Sequence, residues 1–463
     1  MLRLFSHYVS KSFLYLEIGE FLLFVAAVYG AYATRFGASP IAQGEGWGLL
    51  GKAVVLALVL MLCLYAFGLY QKNIRASRYG ILARMIAAFA AAFALLGILF
   101  YVFPSLFLGR GIFLIAMGYA FAASVLVRSA FYRFIDLEQF KRRILVIGTG
   151  EKAKKLTELR RKADRRGWRI IGFLRLKGER APQVDEQRVV RPDGPLIDLV
   201  RRLEVDELVV AIDERRKSLP VEEILDCKMS GVEVVDLPSF FERHLGKIVL
   251  EVTNPSWLIF SEGFRHGWVK EGLKRAFDIV ASLSLLIIAS PVMLVTALLV
   301  YLQDRGPVFY KQVRVGKNWR LFQVIKFRSM VVDAERGGRA QWASRDDPRV
   351  TPVGRFIRKT RIDELPQLFN VLKGEMSIVG PRPERPEFVE QFSETIPFYA
   401  ERHRVKPGIT GWAQISYPYG ATPEDAVEKL QYDLYYVKNY NLFLDMAILL
   451  QTVEVVLWGK GAR

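Results

Sequence analysis

The stretch Phe277-Asp-Ile-Val-Ala-Ser-Leu-Ser-Leu-Leu-Ile-Ile-Ala-Ser-Pro-Val-Met-Leu-Val-Thr-Ala-Leu-Leu-Val-Tyr301 decides how this chain is laid out. It is apolar and long enough to cross a bilayer, which takes about 20 helical residues. Its flanks argue against crossing. Lys270, Lys274 and Arg275 precede it, and Lys311, Arg314, Lys317 and Arg320 follow. Basic flanks stay on the cytoplasmic side of a membrane, so both ends call for the same face. Near the middle sits Ser290-Pro291. Proline has no N–H and its ring crowds the carbonyl of Ile287, so the helix must bend or break there. A helix that enters, turns at Ser290-Pro291 and returns satisfies both observations. A kinked fifth span would instead place a highly basic region outside the cell.

Working outward toward the N-terminus, four more apolar stretches cover roughly residues 13–33, 49–69, 81–103 and 111–127. Each is near the length of a spanning helix. Glu17 and Glu20 lie near the start of the first, where an acid can reach the interface. Ala31-Tyr32-Ala33 mimics a signal-peptide cleavage site, but three further spans follow and no secreted domain does. Arg3 and Lys11, then Lys72, Arg75 and Arg78, then Arg128, Arg133, Lys141, Arg142 and Arg143 mark the basic connections. Their placement puts the N-terminus, the middle loop and everything after the fourth span in the cytoplasm. This gives a four-helix transmembrane region over residues 1–136.

Between these apolar blocks, residues 141–262 predict a soluble Rossmann-like α/β domain. Ile144-Leu145-Val146-Ile147 reads as a buried strand, Gly148-Thr149-Gly150 as a turn, and a helix follows from Glu151. The Gly148-x-Gly150-x-x-Ala153 spacing suggests a nucleotide, yet Arg175 stands where an acid would bind a ribose, which leaves any ligand open.

The composition agrees with this segregation. The chain of 463 residues is 52% hydrophobic while 24% is charged, so greasy and charged parts must occupy different regions. The formal net charge of +18 favours anionic partners. For a protein tethered to a membrane these are lipid headgroups and phosphorylated substrates rather than nucleic acid. Two cysteines and four histidines at these spacings build no disulfide framework and no Cys/His metal cluster.

Between Lys311 and Arg361 the basic residues crowd: Lys311, Arg314, Lys317, Arg320, Lys326, Arg328, Arg336, Arg339, Arg345, Arg349, Arg355, Arg358, Lys359 and Arg361 are opposed only by Asp333, Glu335, Asp346 and Asp347. Interleaved glycine, proline and aromatic residues suggest a folded anion-binding surface rather than a solvated run. Within this field Asp363-Glu364 opens a predicted helix, with Asp363 suited to its N-cap, Pro366 to its first turn and Gly374 to its stop. Asp363 could serve only as a cap. Equally, adjacent acids can share a hard divalent cation such as Mg²⁺. Prolines on both sides stiffen Arg382 for bidentate phosphate contact, or simply connect elements. Lys406-Pro-Gly-Ile-Thr-Gly-Trp-Ala-Gln414 offers Thr410, Trp412 and Gln414 on a glycine-rich turn. Residues 432–457 read as one interfacial or packed amphipathic helix.

Several ordered strings resemble the bacterial sugar transferase family, the monotopic polyprenyl-phosphate phosphoglycosyl transferases. They are Lys274-Arg-Ala-Phe-Asp278, Gly306-Pro-Val-Phe-Tyr-Lys-Gln312, Lys326-Phe-Arg-Ser-Met330, Asp347-Pro-Arg-Val-Thr351, Arg361-Ile-Asp-Glu-Leu-Pro-Gln367, Met376-Ser-Ile-Val-Gly-Pro-Arg-Pro383 and Pro407-Gly-Ile-Thr-Gly-Trp-Ala-Gln414. The whole layout is similar to the large exopolysaccharide-initiating members, whose middle domain is nucleotide- or CoA-binding-like. The resemblance implies a mixed α/β monotopic catalytic domain over residues 268–463, with a re-entrant membrane helix at about 277–301 broken at Ser290 and Pro291. It implies transfer of sugar-1-phosphate from a UDP-sugar to polyprenyl (undecaprenyl) phosphate, with release of UMP, to start exopolysaccharide or O-antigen-type glycan assembly. Asp363 matches the nucleophile, forming a covalent aspartyl phosphosugar, and Glu364 its partner; both are candidate Mg²⁺ ligands. Lys326, Arg328, Arg361 and Arg382 are candidates for the diphosphate, and Thr410 and Gln414 for the nucleotide. The implied setting is a multi-pass protein of the bacterial inner membrane, in contact with its lipids, its catalytic domain facing the cytoplasm, as a homodimer by analogy.

Two other readings make contrary demands. A membrane-anchored nucleotide-sugar dehydratase or epimerase needs a Tyr-x-x-x-Lys pair, and none of the 19 tyrosines is followed by lysine at that spacing. A non-catalytic scaffold for polysaccharide assembly has no use for Asp363-Glu364.

Overall fold

In a computed structural model of the chain, residues 2–4, 7–9, 11–37, 46–70, 78–135, 141–159, 165, 167–176, 178–179, 181–191, 194–213, 219–264, 267–332, 334, 347–417, 420 and 422–457 are described. They form two compact units, the first built of Met1–Leu2 and Tyr8–Thr253, the second of Arg3–His7 and Asn254–Arg463.

The first unit begins with four long helices, α1 (Lys11–Phe36), α2 (Gly46–Ala66), α3 (Arg78–Val102) and α4 (Arg110–Ile135). All four are long and apolar enough to cross a membrane. They pack through an apolar core that includes Phe24, Leu56, Leu60, Ala88, Ala92 and Ala116. Small residues there let the helices approach closely, which is how helices associate where burial in lipid offers no hydrophobic gain.

One pair of charges departs from the expected arrangement. Glu20 is fully buried. Arg128 does not follow the fourth helix but lies within it. Its Nε and Nη2 donate to the two Glu20 oxygens at 2.7 Å each, and its Nη1 donates to the Leu69 carbonyl at 2.7 Å. Ser124 and Tyr70 donate to the same carboxylate. Burial among apolar helices makes a lone charge so costly that the two acquire each other and complete their hydrogen bonds.

The same unit contains a five-stranded parallel sheet, in the order β5-β4-β3-β6-β7. These strands are β3 (Arg142–Ile147), β4 (Trp168–Leu174), β5 (Val189–Val190), β6 (Glu207–Val210) and β7 (Glu233–Asp236), numbered after two short N-terminal strands, β1 (Leu2–Leu4) and β2 (His7–Val9). Helices α5 (Glu151–Thr157), α6 (Leu196–Arg202), α7 (Val221–Met229) and α8 (Leu237–Leu245) accompany it. Two separate apolar clusters, one around Ile144, Val146 and Phe240 and one around Leu145, Ile147 and Leu208, cover its two faces. Successive residues of β3 alternate between those clusters, as strand geometry requires. The expected Rossmann-like alternation is therefore present.

The second unit is dominated by α10 (Trp268–Asp304), which follows the short α9 (Pro255–Phe260). It runs without interruption through Pro291, so Ser290-Pro291 does not divide it into two elements. The reason is local: Ser290 Oγ donates to the Ile287 carbonyl at 2.8 Å, supplying a hydrogen bond that the proline nitrogen cannot. Much of its middle is exposed, including Ile287, Ile288, Leu294 and Leu298. Its first half carries the anchors. Lys274 donates to Asp445, to Tyr436 and to the Val379 carbonyl. Arg275 donates to the Val371 and Leu372 carbonyls. Asp278 accepts from Ser377 Oγ and the Ile378 amide. The string Lys274-Arg-Ala-Phe-Asp278 thus works as a clamp: i and i+4 lie on one helix face.

Around this helix stand the antiparallel hairpin β8 (Phe309–Val315) and β9 (Leu321–Phe327), the parallel pair β10 (Ser377–Val379) and β11 (Gly408–Thr410), and six helices. These are α11 (Pro352–Lys359), α12 (Gln367–Lys373), α13 (Pro386–Thr395), α14 (Trp412–Ser416), α15 (Pro423–Asn439) and α16 (Leu442–Leu457). The last two correct the expectation of a single helix over 432–457. The chain leaves helical geometry at Tyr440, and Asn441 Oδ1 accepts from the Leu444 amide, starting a second helix.

Candidate functional site

The hairpin, the turn before α12 and the β10–β11 pair line a cavity of about 820 Å³ in the second unit. All eight residues expected to act on substrate meet here: Lys326, Arg328, Arg361, Asp363, Glu364, Arg382, Thr410 and Gln414. Ser290 and Pro291 do not, although Leu285 of the same helix lines the wall. The lining holds ten Lys or Arg against four Asp or Glu, which makes the cavity a receptor for anions.

Asp363 and Glu364 do not cap a helix. They lie in a 3₁₀ turn, Ile362–Glu364, and α12 starts beyond them with no side-chain cap. Gly374 does end that helix, with φ of 87°. Arg361 enters the turn with φ of 60°, a left-handed conformation costly for a side chain with a Cβ. Local preference would not choose it, so the surrounding packing holds it. Asn370 is part of that packing. Its Oδ1 accepts from the Ile325 amide at 3.0 Å, and its Nδ2 donates to the Gln323 carbonyl at 2.7 Å, which pins α12 to the strand that carries Lys326.

The two acids are treated differently. Glu364 Oε1 accepts from Lys326 Nζ at 2.9 Å and from Arg382 Nη2 at 3.0 Å, and Arg361 lies 3.5 Å from its other oxygen. Burial pushes Glu364 up, but Lys326, then Arg382 and Arg361, outweigh it and hold the carboxyl well below its usual range. Asp363 Oδ1 is buried with no hydrogen-bond partner among the described residues. Burial first, and the Glu364 charge second, push Asp363 up to about 6 against the pull of Lys326, Arg361 and Arg358. Side by side, one acid is a fixed anion and the other a carboxylate with an uncommitted oxygen.

The basic residues also divide. Lys326 and Arg382 hold Glu364. Arg328 is engaged elsewhere: Nη1 donates to Asp304 Oδ2 at 2.6 Å, Nη2 to the other Asp304 oxygen and Nε to the Pro307 carbonyl at 2.7 Å. It ties the end of α10 to the hairpin, which is a positioning task. Thr410 Oγ1 lies 2.7 Å from Thr452 Oγ1, and Gln414 Oε1 is a buried acceptor with no partner among the described residues. The glycines flanking Thr410 permit close strand packing; a Cβ on Gly408 would lie 2.0 Å from the Gly380 nitrogen.

Sequence reasoning missed Arg402, Asp433 and Lys429, which line the same cavity. Arg402 is buried, pairs with Asp433 at 2.8 Å, and donates to the Arg382 carbonyl at 2.9 Å, fixing the backbone from which Arg382 reaches Glu364. No spacing signal joins residues so far apart. Arg314 and Gln312 were more accessible to inference: with Tyr310 they alternate along β8, and Tyr310 pairs with Lys326 across the hairpin.

Among the described residues no group of three or more His, Cys, Asp or Glu stands together. The residues fit a divalent cation in one way. Asp363 can offer one carboxylate oxygen and keep the other free, while substrate phosphate and water supply the rest, the usual manner for Mg²⁺. Glu364 is already neutralised by its cations.

A family model described as bacterial sugar transferase matches residues 269–459, and one described as a CoA-binding domain matches residues 65–226. Among relatives, the UDP-N-acetylgalactosamine-undecaprenyl-phosphate N-acetylgalactosaminephosphotransferase of Aeromonas hydrophila is 52% identical over 41% of this chain and 45% of its own. The undecaprenyl-phosphate glucose phosphotransferase of Komagataeibacter xylinus is 35% identical over 69% of this chain and 60% of its own. The UDP-glucose:undecaprenyl-phosphate glucose-1-phosphate transferase of Klebsiella pneumoniae is 34% identical over 72% of this chain and 71% of its own. The match thus spans about half the length of the first two relatives and over two thirds of the third. With that coverage, and with six of the seven quoted strings contributing to one cavity, the chain belongs to the bacterial sugar transferase family.

Proposed function

We propose that this protein transfers a sugar-1-phosphate from a UDP-sugar to undecaprenyl phosphate or a similar polyprenyl phosphate, the first step of a surface polysaccharide. The observation that carries the reading is the buried Asp363 oxygen without a partner, set beside a neutralised Glu364 in a basic cavity. The Asp363 carboxylate attacks the β-phosphorus. The bond from that phosphorus to the bridging oxygen breaks, its electron pair stays on that oxygen, and UMP leaves. An oxygen of the polyprenyl phosphate then attacks the aspartyl phosphosugar, and Asp363 departs as a carboxylate. No proton must be taken from either nucleophile.

Lys326, Arg361 and Arg382 keep Glu364 ionised and present positive charge to the diphosphate; charge stabilisation of this kind is the main demand of phosphoryl transfer. Mg²⁺ held by Asp363 and the diphosphate would add further neutralisation. The lipid substrate reaches the site along the exposed apolar face of α10, which lies in the cytoplasmic leaflet with both basic flanks on the cytoplasmic side, while α1–α4 span the inner membrane. The basic flanks of residues 277–301 and the exposed apolar face of α10 support this placement. The relatives are named for different sugars, so the sugar is a property of pocket shape within a shared chemistry.

The test is UMP release by purified protein in nanodiscs with polyprenyl phosphate and a panel of UDP-sugars. Wild type releases UMP and retains sugar label when the lipid is withheld. Asp363→Asn does neither, losing roughly 10³-fold or more, as expected when a covalent nucleophile is removed. Equal release by Asp363→Asn would sink the assignment.

A further inference from the structure

The turn Gly148-Thr149-Gly150 leaves β3 and opens α5, the place where a dinucleotide fold seats a diphosphate on free backbone amides. In this chain those amides are already engaged by the protein's own acids. Asp213 accepts from the Glu151 and Lys152 amides, one oxygen to each, at 3.0 Å. These first-turn amides have no partner within a helix, so the carboxylate takes the part a phosphate would take. Glu179 accepts from the Thr149 amide at 3.3 Å, from Thr149 Oγ1 at 2.9 Å and from the Leu176 amide at 3.2 Å. The Thr149 carbonyl accepts from the Gln183 amide at 2.8 Å.

Space is taken as well as hydrogen-bonding capacity. A Cβ on Gly150 would lie 1.9 Å from Asp213 Oδ2, and one on Gly148 would lie 3.3 Å from Glu179 Oε1. The glycines here admit carboxylates rather than a ligand. A diphosphate would have to displace two anions and, until it did, would face their repulsion. The end of β4 offers no acid for a ribose; Arg175 occupies it, with its amide on the Val190 carbonyl.

We infer that this domain takes no dinucleotide or coenzyme A at its glycine turn, and that Asp213 and Glu179 are built-in anions locking that turn, although the family model over residues 65–226 is described as CoA-binding. The glycine turn is then a structural corner of the domain.

Hydrogen–deuterium exchange on the full-length protein tests this, because it reads the turn itself. Coenzyme A and NAD⁺ carry diphosphates and can enter the basic cavity of the other unit, so binding alone decides nothing. Peptides covering residues 148–153 are expected to be protected without ligand and unchanged by millimolar coenzyme A or NAD⁺. Asp213→Ala should speed exchange at Glu151 and Lys152 roughly fivefold or more, the scale of a lost helix-cap hydrogen bond. Asp213→Asn, which keeps an acceptor oxygen, should retain most of the protection and serves as the folded control. Added protection of these peptides by either cofactor in wild type would overturn the inference. So would wild-type exchange as fast as that of Asp213→Ala.

Discussion

At the scale of single residues, chemistry here comes from unequal treatment of two neighbouring acids. Three cations hold Glu364 ionised, whereas burial and that fixed charge raise Asp363 to about 6. If Asp363 attacks as proposed it must be deprotonated, so the active fraction falls as pH drops through about 6. We expect kcat/KM for UMP release to be flat near neutrality and to fall about tenfold per pH unit below that point. A profile flat down to pH 4 would remove Asp363 from the titration. Asn370 acts at one remove. Asn370→Ala leaves the Ile325 amide and the Gln323 carbonyl unpaired, at about 1–3 kcal/mol for each buried group. It should lower the thermal midpoint and weaken turnover together, since Lys326 and Glu364 lose their common register. Both members of the acid pair were legible in the string Arg361-Ile-Asp-Glu-Leu-Pro-Gln367. Asn370 was not, because a side-chain bond to another strand's backbone leaves no local trace.

At the scale of elements, the long α10 shows how an interruption is repaired. Pro291 deprives the Ile287 carbonyl of its amide, and the Ser290 hydroxyl replaces the bond. Ser290→Ala should destabilise the protein by about 1 kcal/mol, the usual worth of such a bond in an apolar setting. Pro291→Ala restores the amide, so Ser290→Ala made in that background should cost little. Thermal midpoints of the four proteins in nanodiscs supply the double-mutant cycle; equal cost in both backgrounds would show that the hydroxyl does not substitute for the amide. The same reasoning separates α15 from α16: apolar spacing continues through residues 432–457, but Asn441 begins a new helix.

At the scale of the whole molecule, the proposal requires that the basic region after Tyr301 share a side of the membrane with the sheet-containing region. Both cysteines are buried, so single cysteines introduced at Lys228 and Arg355 offer clean reporters. In intact cells neither should react with an impermeant maleimide, and both should react after permeabilisation. Labelling of Arg355→Cys alone before permeabilisation would place the catalytic region outside and end the account.

The sequence by itself determined the apolar helices, the parallel-sheet alternation and the identity of the acid pair, because each is written in local period, composition or an uninterrupted motif. Tertiary structure decided the rest. It set Arg328, in the wall of the cavity, against Asp304, and it brought Arg402 to the Arg382 carbonyl. It also sank Glu20 and Arg128 into one buried pair and filled the glycine turn with Asp213 and Glu179. The physical reason is common to all four. A charged side chain settles on the polar groups that the fold brings beside it, whether buried as Glu20 and Arg128 are or exposed as Asp213 is, and that proximity in space is not encoded by spacing along the chain.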